Sequence, residues 1–330
     1  MAKRSEFPVQ KSLLDANELG CEVAEQYDLP LPVGCELFAQ GLNDTYILSA
    51  DDDKYALRVY RSGWRTDDDV AFELELLEHL AREGANVCAP LRSRSGGLSL
   101  TLDAPEGRRQ VALFEFAAGT PIAGTQWSGD DARAYGEGVA LVHAGMDTFT
   151  SQHRRLNLDL DHLLAAPLSE LEPRLIARTD DWSYLQQVAE SLRNSILERA
   201  NDLTWGICHG DFHGGNARRV KEGPYRFFDF DCGGFGWRAY DIAVFRWGVL
   251  RLPGNQSSED LWQAFTDAYS TERYLKATDL AAVPDFVAIR QIWLMGLHAA
   301  FGKERGAAFL NDAYFDRQMK ILRECVEKLD

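Results

Sequence analysis

The sequence predicts an α+β chain of two lobes, a small N-terminal one on an antiparallel sheet and a larger, mostly helical C-terminal one. Three observations lead there. Strand-type runs separated by turn signals crowd the first third, and helix-period patterns fill the rest. Between them an apolar strand at 109–116 runs out into Ala117, Ala118, Gly119, Thr120 and Pro121, the composition of a hinge. The division is expected at residues 1–116 and 117–330.

In chain order, residues 12–27 space Leu13, Leu14, Leu19, Val23 and Ala24 as a leading helix that packs on the small lobe. Residues 35–40 and 45–49 read as strands around Gly41, Leu42, Asn43 and Asp44, and 55–60 as a third after the acidic turn at Asp51 to Asp53. Asp67, Asp68 and Asp69 supply the acidic start of a helix running to Gly84. Leu76, Leu77 and Leu80 share its face, with Glu73 one turn before the first two. Beyond the hinge, 130–146 is helical, followed by expected helices at 184–201, 237–252, 259–269, 286–301 and 311–329. Trp247, Trp262 and Trp293 lie in apolar stretches, where core packing is the ordinary role.

Composition narrows the function. At 330 residues and 45% hydrophobic, the chain can build two cores. A formal charge of −16 excludes the basic footprint that nucleic acid requires. No apolar run approaches the roughly 20 residues of a membrane span, and no apolar signal core follows the basic start. Six cysteines without a CxxC suit a reducing cytoplasm.

The most telling segment is His209-Gly210-Asp211-Phe212-His213-Gly214-Gly215-Asn216, followed by Phe227-Phe228-Asp229-Phe230-Asp231. Glycines at 210, 214 and 215 forbid a regular helix, so the loop can turn Asp211 and Asn216 to a common point. Residues 217–220 and 225–228 read as a hairpin turning at Lys221-Glu222-Gly223-Pro224, which returns Asp229 beside them. Two carboxylates and an amide at one end of a hairpin suit a hard, oxygen-seeking cation such as magnesium. Phosphoryl transfer from ATP needs such a set: one carboxylate to orient and deprotonate a hydroxyl, the other groups to hold the metal. A zinc pair at His209 and His213 is the weaker reading, since the glycine-rich stretch offers neither a helix nor an intervening glutamate.

This segment, with Tyr240-Asp241-Ile242-Ala243, Gly41-Leu42-Asn43-Asp44-Thr45-Tyr46 and Leu57-Arg58-Val59-Tyr60, resembles the aminoglycoside phosphotransferase and choline kinase superfamily. The layout over about residues 12–297 is most similar to the branch of the bacterial stress-response kinase and type II homoserine kinases. The resemblance implies a two-lobed, protein-kinase-like fold, with a nucleotide-binding sheet in the first lobe. Catalytic loop, metal-binding segment and a helical substrate subdomain fall in the second. It implies Asp211 as the base, Asn216 and Asp229 as magnesium ligands, and Asp241 as a brace of the loop. With no Walker-type or Gly-x-Gly-x-x-Gly phosphate loop present, the phosphates fall to Asn43, Asp44 and Thr45. Arg58 stands where many kinases have a phosphate-binding lysine, a role arginine can fill bidentately. Its expected partner is Glu73, with Glu75 as the alternative. The hinge residues Glu115, Phe116 and Ala117 would line the adenine site through their backbones.

The expected activity is therefore transfer of the γ-phosphoryl group of Mg-ATP to a hydroxyl. The acid surplus points to a small cationic acceptor, such as an aminoglycoside, an amino alcohol or a homoserine-like molecule. No recognisable activation segment lies between Asp229 and Asp241, only Cys232 to Tyr240 after Phe230 and Asp231, a brevity that favours a small acceptor. Two alternatives stand: a Ser/Thr protein kinase of the stress-response type, and a nucleotide-binding regulator without turnover. Oligomeric state is not encoded in these patterns.

Overall fold

The protein is described from a computed structural model covering residues 7–122, 127–219, 223–252 and 257–327. It separates into two compact units. The first comprises Met1–Gly119 with the returning segments Phe149–Arg155 and Arg226–Phe228; the second comprises Thr120–Thr148, Leu156–Tyr225 and Asp229–Asp330.

In the first unit, helix α1 (Ala16–Gln26) precedes strands β1 (Val33–Gln40), β2 (Asp44–Ala50) and β3 (Asp53–Val59). Helix α2 (Asp67–Arg82) follows, then β4 (Leu100–Ala104) and β5 (Gly107–Glu115). The strands form one antiparallel sheet in the order β1-β2-β3-β5-β4. Alternation sets its two faces. Tyr46, Leu48 and Ala50, Leu57 and Val59, and Val111 and Leu113 pack with Leu19 and Val23 of α1 and with Tyr27 just past its end. Thr45 and Arg58, opposite one another in register, point to the other face. The leading helix starts later than residue 12. Asp15 caps it by accepting from the Asn17 and Glu18 amides, while Ser12 is held by Glu106 and Arg109. Thr66 and Asp69 close a capping box on α2, and Gly84, at φ +86°, follows its end. The segment at 149–155 buttresses α2: Phe149 meets Phe72 edge to face, and Ser151 donates to Glu75.

In the second unit, β6 (Thr120–Pro121), α3 (Gly129–Asp147) and β7 (Asn157–Leu158) lead to a wide helical turn (Asp161–Ala165), α4 (Ala166–Leu175) and α5 (Thr179–Arg199). Then come β8 (Trp205–Cys208), β9 (Ala217–Arg219), β10 (Tyr225–Phe227), of which only Tyr225 belongs to this unit, and β11 (Gly234–Trp237). Helices α6 (Arg238–Val249), α7 (Ser258–Glu272), α8 (Ala277–Arg305) and α9 (Asp312–Val326) complete it. Strand β9 lies between β6 and β10, and β11 between β7 and β8. The expected turn at Lys221-Glu222, Val220 before it, and the end of the last expected helix lie outside the described residues. Helices α3 and α7 approach so closely at Gly136 that a Cβ there would sit 2.3 Å from the Phe265 carbonyl oxygen.

Helix α8 corrects one expectation. Ala277–Glu304 is long and apolar enough to cross a membrane by length and composition, but 72% of its apolar window is buried within the protein. Ala282, Val283, Phe286, Ile289 and Ile292 are all in the interior, the burial of a core helix.

Candidate active site

Strand β8 ends at Cys208, and the chain enters the glycine-rich loop. Gly210 takes φ +78°, and a Cβ there would lie 2.3 Å from the carbonyl oxygen of Cys232. Only glycine satisfies both conditions. That approach seats the loop directly on the 230–233 turn that follows Asp229. Asn216 donates its amide to the Asp211 side chain and to the Asp211 backbone carbonyl, both at 3.0 Å. The other end of the amide, Oδ1, accepts no hydrogen bond from the described residues and is free to meet a cation. Asp229 sits in the left-handed region, at φ +68° and ψ 60°, a conformation uncommon for non-glycine residues but one that aspartate tolerates better than most. Its charge acts on His213, whose Nε2 stands 3.4 Å from Asp211. Asp211, Asn216, His213 and Asp229 thus form one neighbourhood.

Behind the loop lies a polar brace. His209 is fully buried, stacked near Phe212 and Phe230, and its Nδ1 accepts the Asp211 amide at 3.1 Å. The Asp241 carboxylate accepts the amides of His209 and Gly210 at 2.6 and 2.7 Å. His143 spans from Asp241 (3.0 Å) to the Tyr269 hydroxyl (2.8 Å). His209 and Asp241 therefore brace the loop. Among the described residues, no group of three or more His, Cys, Asp and Glu could hold a metal by itself. Burial pushes the Asp241 carboxyl up to about 7, against the pull of the Gly210 and His209 amides and of Arg238. An unfolded aspartate releases its proton near pH 3.9, so the folded form holds a proton the unfolded chain has lost. The contribution of this group is full below about pH 4 and declines as pH rises toward 7. In denaturant titrations, the wild-type stability should fall more steeply across that window than that of Asp241→Asn. Equal slopes would remove Asp241 as the source.

Arg290, which the sequence reading did not single out, occupies the centre of the site. It projects from α8, is 2% exposed, and pairs with the Asp211 carboxylate. Its guanidinium also stacks 4.6 Å from the Trp293 ring centre and 5.5 Å from that of Trp247. Burial alone would raise the Asp211 carboxyl; Arg290 and His213 outweigh it and hold it well below the usual carboxylate range. The available signal was a single charge in the apolar run 286–302.

In the first unit, Arg58 meets Glu73 at 2.7 Å, with Glu73 fully buried. Glu75 turns instead to Ser151 and His153. Arg58 also packs on the rings of Tyr60 and Phe114. The turn before it departs from expectation. The Asp44 carboxylate is inaccessible, held by Arg109 and Lys11 at 2.8 Å each, so it anchors the fold rather than facing a ligand. The Asn43 side chain likewise turns inward and accepts the Arg61 amide. Thr45, half-buried, keeps the face of Arg58. Along the expected hinge, the Glu115 amide donates to Ala89, its carboxylate meets Arg226, and the Phe116 carbonyl accepts from Ala118, with Ala117 next in line.

An antiparallel sheet carrying a lysine-like arginine–glutamate pair, together with an Asp–Asn loop beside a second aspartate, defines a kinase-type phosphotransferase that acts on hydroxyl acceptors. The chain belongs to the phosphotransferase enzyme family, whose pattern matches residues 35–277. An uncharacterised protein of Deinococcus radiodurans is 41% identical over 323 residues, 98% of this chain and 93% of its own length. A homoserine kinase of Methylocella silvestris is 27% identical over 263 residues, 79% of this chain and 78% of that protein. The structure of an amicoumacin kinase in complex with AMP-PNP and Ca2+ superposes with a TM-score of 0.76 at 20% identity, covering 96% of this chain and 94% of the other. The kinase-like fold expected from the sequence is thereby established.

Proposed function

We propose that this phosphotransferase moves the γ-phosphoryl group of Mg-ATP to a hydroxyl of a small, amine-bearing acceptor in the cytoplasm. The observation that carries the reading is the neighbourhood of Asp211, Asn216 and Asp229 on one loop and the turn packed against it. The amicoumacin kinase with AMP-PNP and a divalent cation, and the homoserine kinases among the relatives, support nucleotide, metal and acceptor class. Six free cysteines suit the compartment.

In this reading Asp211 accepts the hydrogen bond of the acceptor hydroxyl and takes its proton as transfer proceeds. Its lowered basicity suits a loose transition state, in which the hydroxyl loses its proton late and orientation matters more than base strength. The Asn216 Oδ1 and the Asp229 carboxylate fit magnesium, which takes one or two protein ligands beside phosphate oxygens and water. Held by Asn216 and Asp229, magnesium would supply positive charge against that of the phosphates. Arg58, fixed by Glu73, would hold phosphate oxygens, with Thr45 beside it and the backbone of Glu115, Phe116 and Ala117 serving the adenine. Asn43 would act through its backbone only.

The direct test supplies labelled Mg-ATP with aminoglycosides, ethanolamine, choline and homoserine, and follows labelled product. A protein that neither binds Mg-ATP nor transfers phosphate would overturn the proposal. Arg58→Ala should raise KM for Mg-ATP roughly 10- to 100-fold, the loss of a charge-assisted hydrogen bond. Steady-state kinetics with ATP varied would show it, and an unchanged KM would take Arg58 out of the nucleotide site.

A further inference from the structure

Three arginines gather in one neighbourhood, among them Arg290, the residue that pairs with Asp211. Arg290 comes from α8; Arg251 lies just past the end of α6; Arg317 is on α9. Arg251 stacks 4.2 Å from the Trp247 ring centre, the same indole that Arg290 approaches at 5.5 Å, so two guanidinium groups share one aromatic side chain. Arg317 lies 6.0 Å from the ring centre of Tyr314. A hydrogen-bond chain fixes these helices to one another. The Trp247 indole donates to Gln291 at 3.0 Å, and the Gln291 amide donates to Gln318 at 2.8 Å.

The charge balance of this wall is unusual for so acidic a chain. Arg290 has one carboxylate, Asp211, and its buried Nε makes no hydrogen bond. Arg251 and Arg317 are exposed and have no carboxylate partner among the described residues. Elsewhere the pattern differs: Arg178, Arg199, Arg238, Arg246 and Arg273 are all matched to acids. Burial weighs against the charge of Arg251 first; Cys325 opposes it, while Arg290 and Arg317 add to it. Three like charges with a single carboxylate among them, Asp211, are costly to hold together, and a bound anion would relieve the repulsion. Forked guanidinium groups match the planar oxygens of carboxylate and phosphate.

We infer that the acceptor carries an oxyanion, a carboxylate or a phosphate, which Arg251 and Arg317 receive while its hydroxyl meets Asp211. The inference rests on the phosphotransferase reading above and refines it. The overall acidity of the chain favours cations at long range, but Arg251 and Arg317 select at contact distance. An amine remains compatible: a hydroxy amino acid has hydroxyl, amine and carboxylate together.

Matched probes test this by calorimetry on the full chain. Homoserine is compared with the aminopropanol that has the same hydroxyl and amine but lacks the carboxylate, and glycerol phosphate with glycerol. In at least one pair the anionic member should bind about ten-fold tighter or better, the scale of one charge-assisted hydrogen bond. The pair that shows the preference tells carboxylate from phosphate. In the Arg251→Gln, Arg317→Gln double variant the preference should shrink several-fold, while Mg-AMP-PNP affinity shows that the protein is folded. Equal binding within both pairs, no binding by any probe, or a preference that survives in the double variant overturns the inference. Failure of Mg-AMP-PNP to bind the wild type would strike the phosphotransferase reading instead, so the two failures are distinct.

Discussion

Asp211→Asn should lower turnover by roughly 100- to 10,000-fold, the range for losing a positioned general base, with nucleotide affinity preserved. Asparagine is the informative replacement because of Arg290. The amide keeps an oxygen for the buried guanidinium, and the backbone carbonyl of residue 211 still receives the Asn216 amide. Asp211→Ala would instead leave Arg290 without a partner inside the protein, mixing lost chemistry with a fold penalty of about 3–5 kcal/mol. The measurement is kcat with saturating Mg-ATP and acceptor, beside calorimetric titration of AMP-PNP. A conservative variant that turns over near the wild-type rate would remove Asp211 from the chemistry. A collapse of nucleotide binding would point to a structural role.

The parts of this site legible in the sequence are those encoded locally. Glycines at 210, 214 and 215 fix how the loop bends, and Asp211 and Asn216 lie five positions apart, so their contact is a property of the loop itself. Arg58 and Glu73 are 15 positions apart, but one strand and one helix turn connect them. Arg290 is 79 positions from Asp211, and no periodicity links an apolar helix to a distant loop. The same limit governs the fold. Strands β1, β2, β3 and β5 announce themselves by alternation and turns, whereas β7, β8 and β11 are two to four residues each and exist through their pairing with one another. Helix α4 lies outside the expected helices, and it carries Pro167 and Pro173. Pro167 falls within the first turn, where the ring is tolerated. Strand β4 was readable: Leu100 and Leu102 alternate before the Gly107 turn into β5.

Asp44 shows how a loop position can mislead, and its replacement should have the larger effect on stability. In a turn following Gly41 and Asn43 it looks like a ligand for phosphate, yet its true partner, Arg109, is 65 positions away on β5. The pair is completely buried on both sides. Arg109 also donates to the Tyr60, Ser12 and Val59 carbonyls, so one guanidinium joins the segment before α1, strand β3 and strand β2. Asp44→Ala leaves that cation inside without its main counter-charge, a loss on the order of 3–5 kcal/mol. Lys11 meets the same carboxylate from a partly exposed position, and Lys11→Ala should cost about 1 kcal/mol or less. Urea denaturation of the two variants, followed through the unfolding midpoint, separates the cases. If Asp44 served the nucleotide instead, the order would invert: stability would stay near the wild type, and AMP-PNP affinity would fall in the folded protein. The enclosed geometry of the pair requires the first result, because a carboxylate shut away from solvent and already held by two cations has no oxygen to offer a phosphate-bound ion.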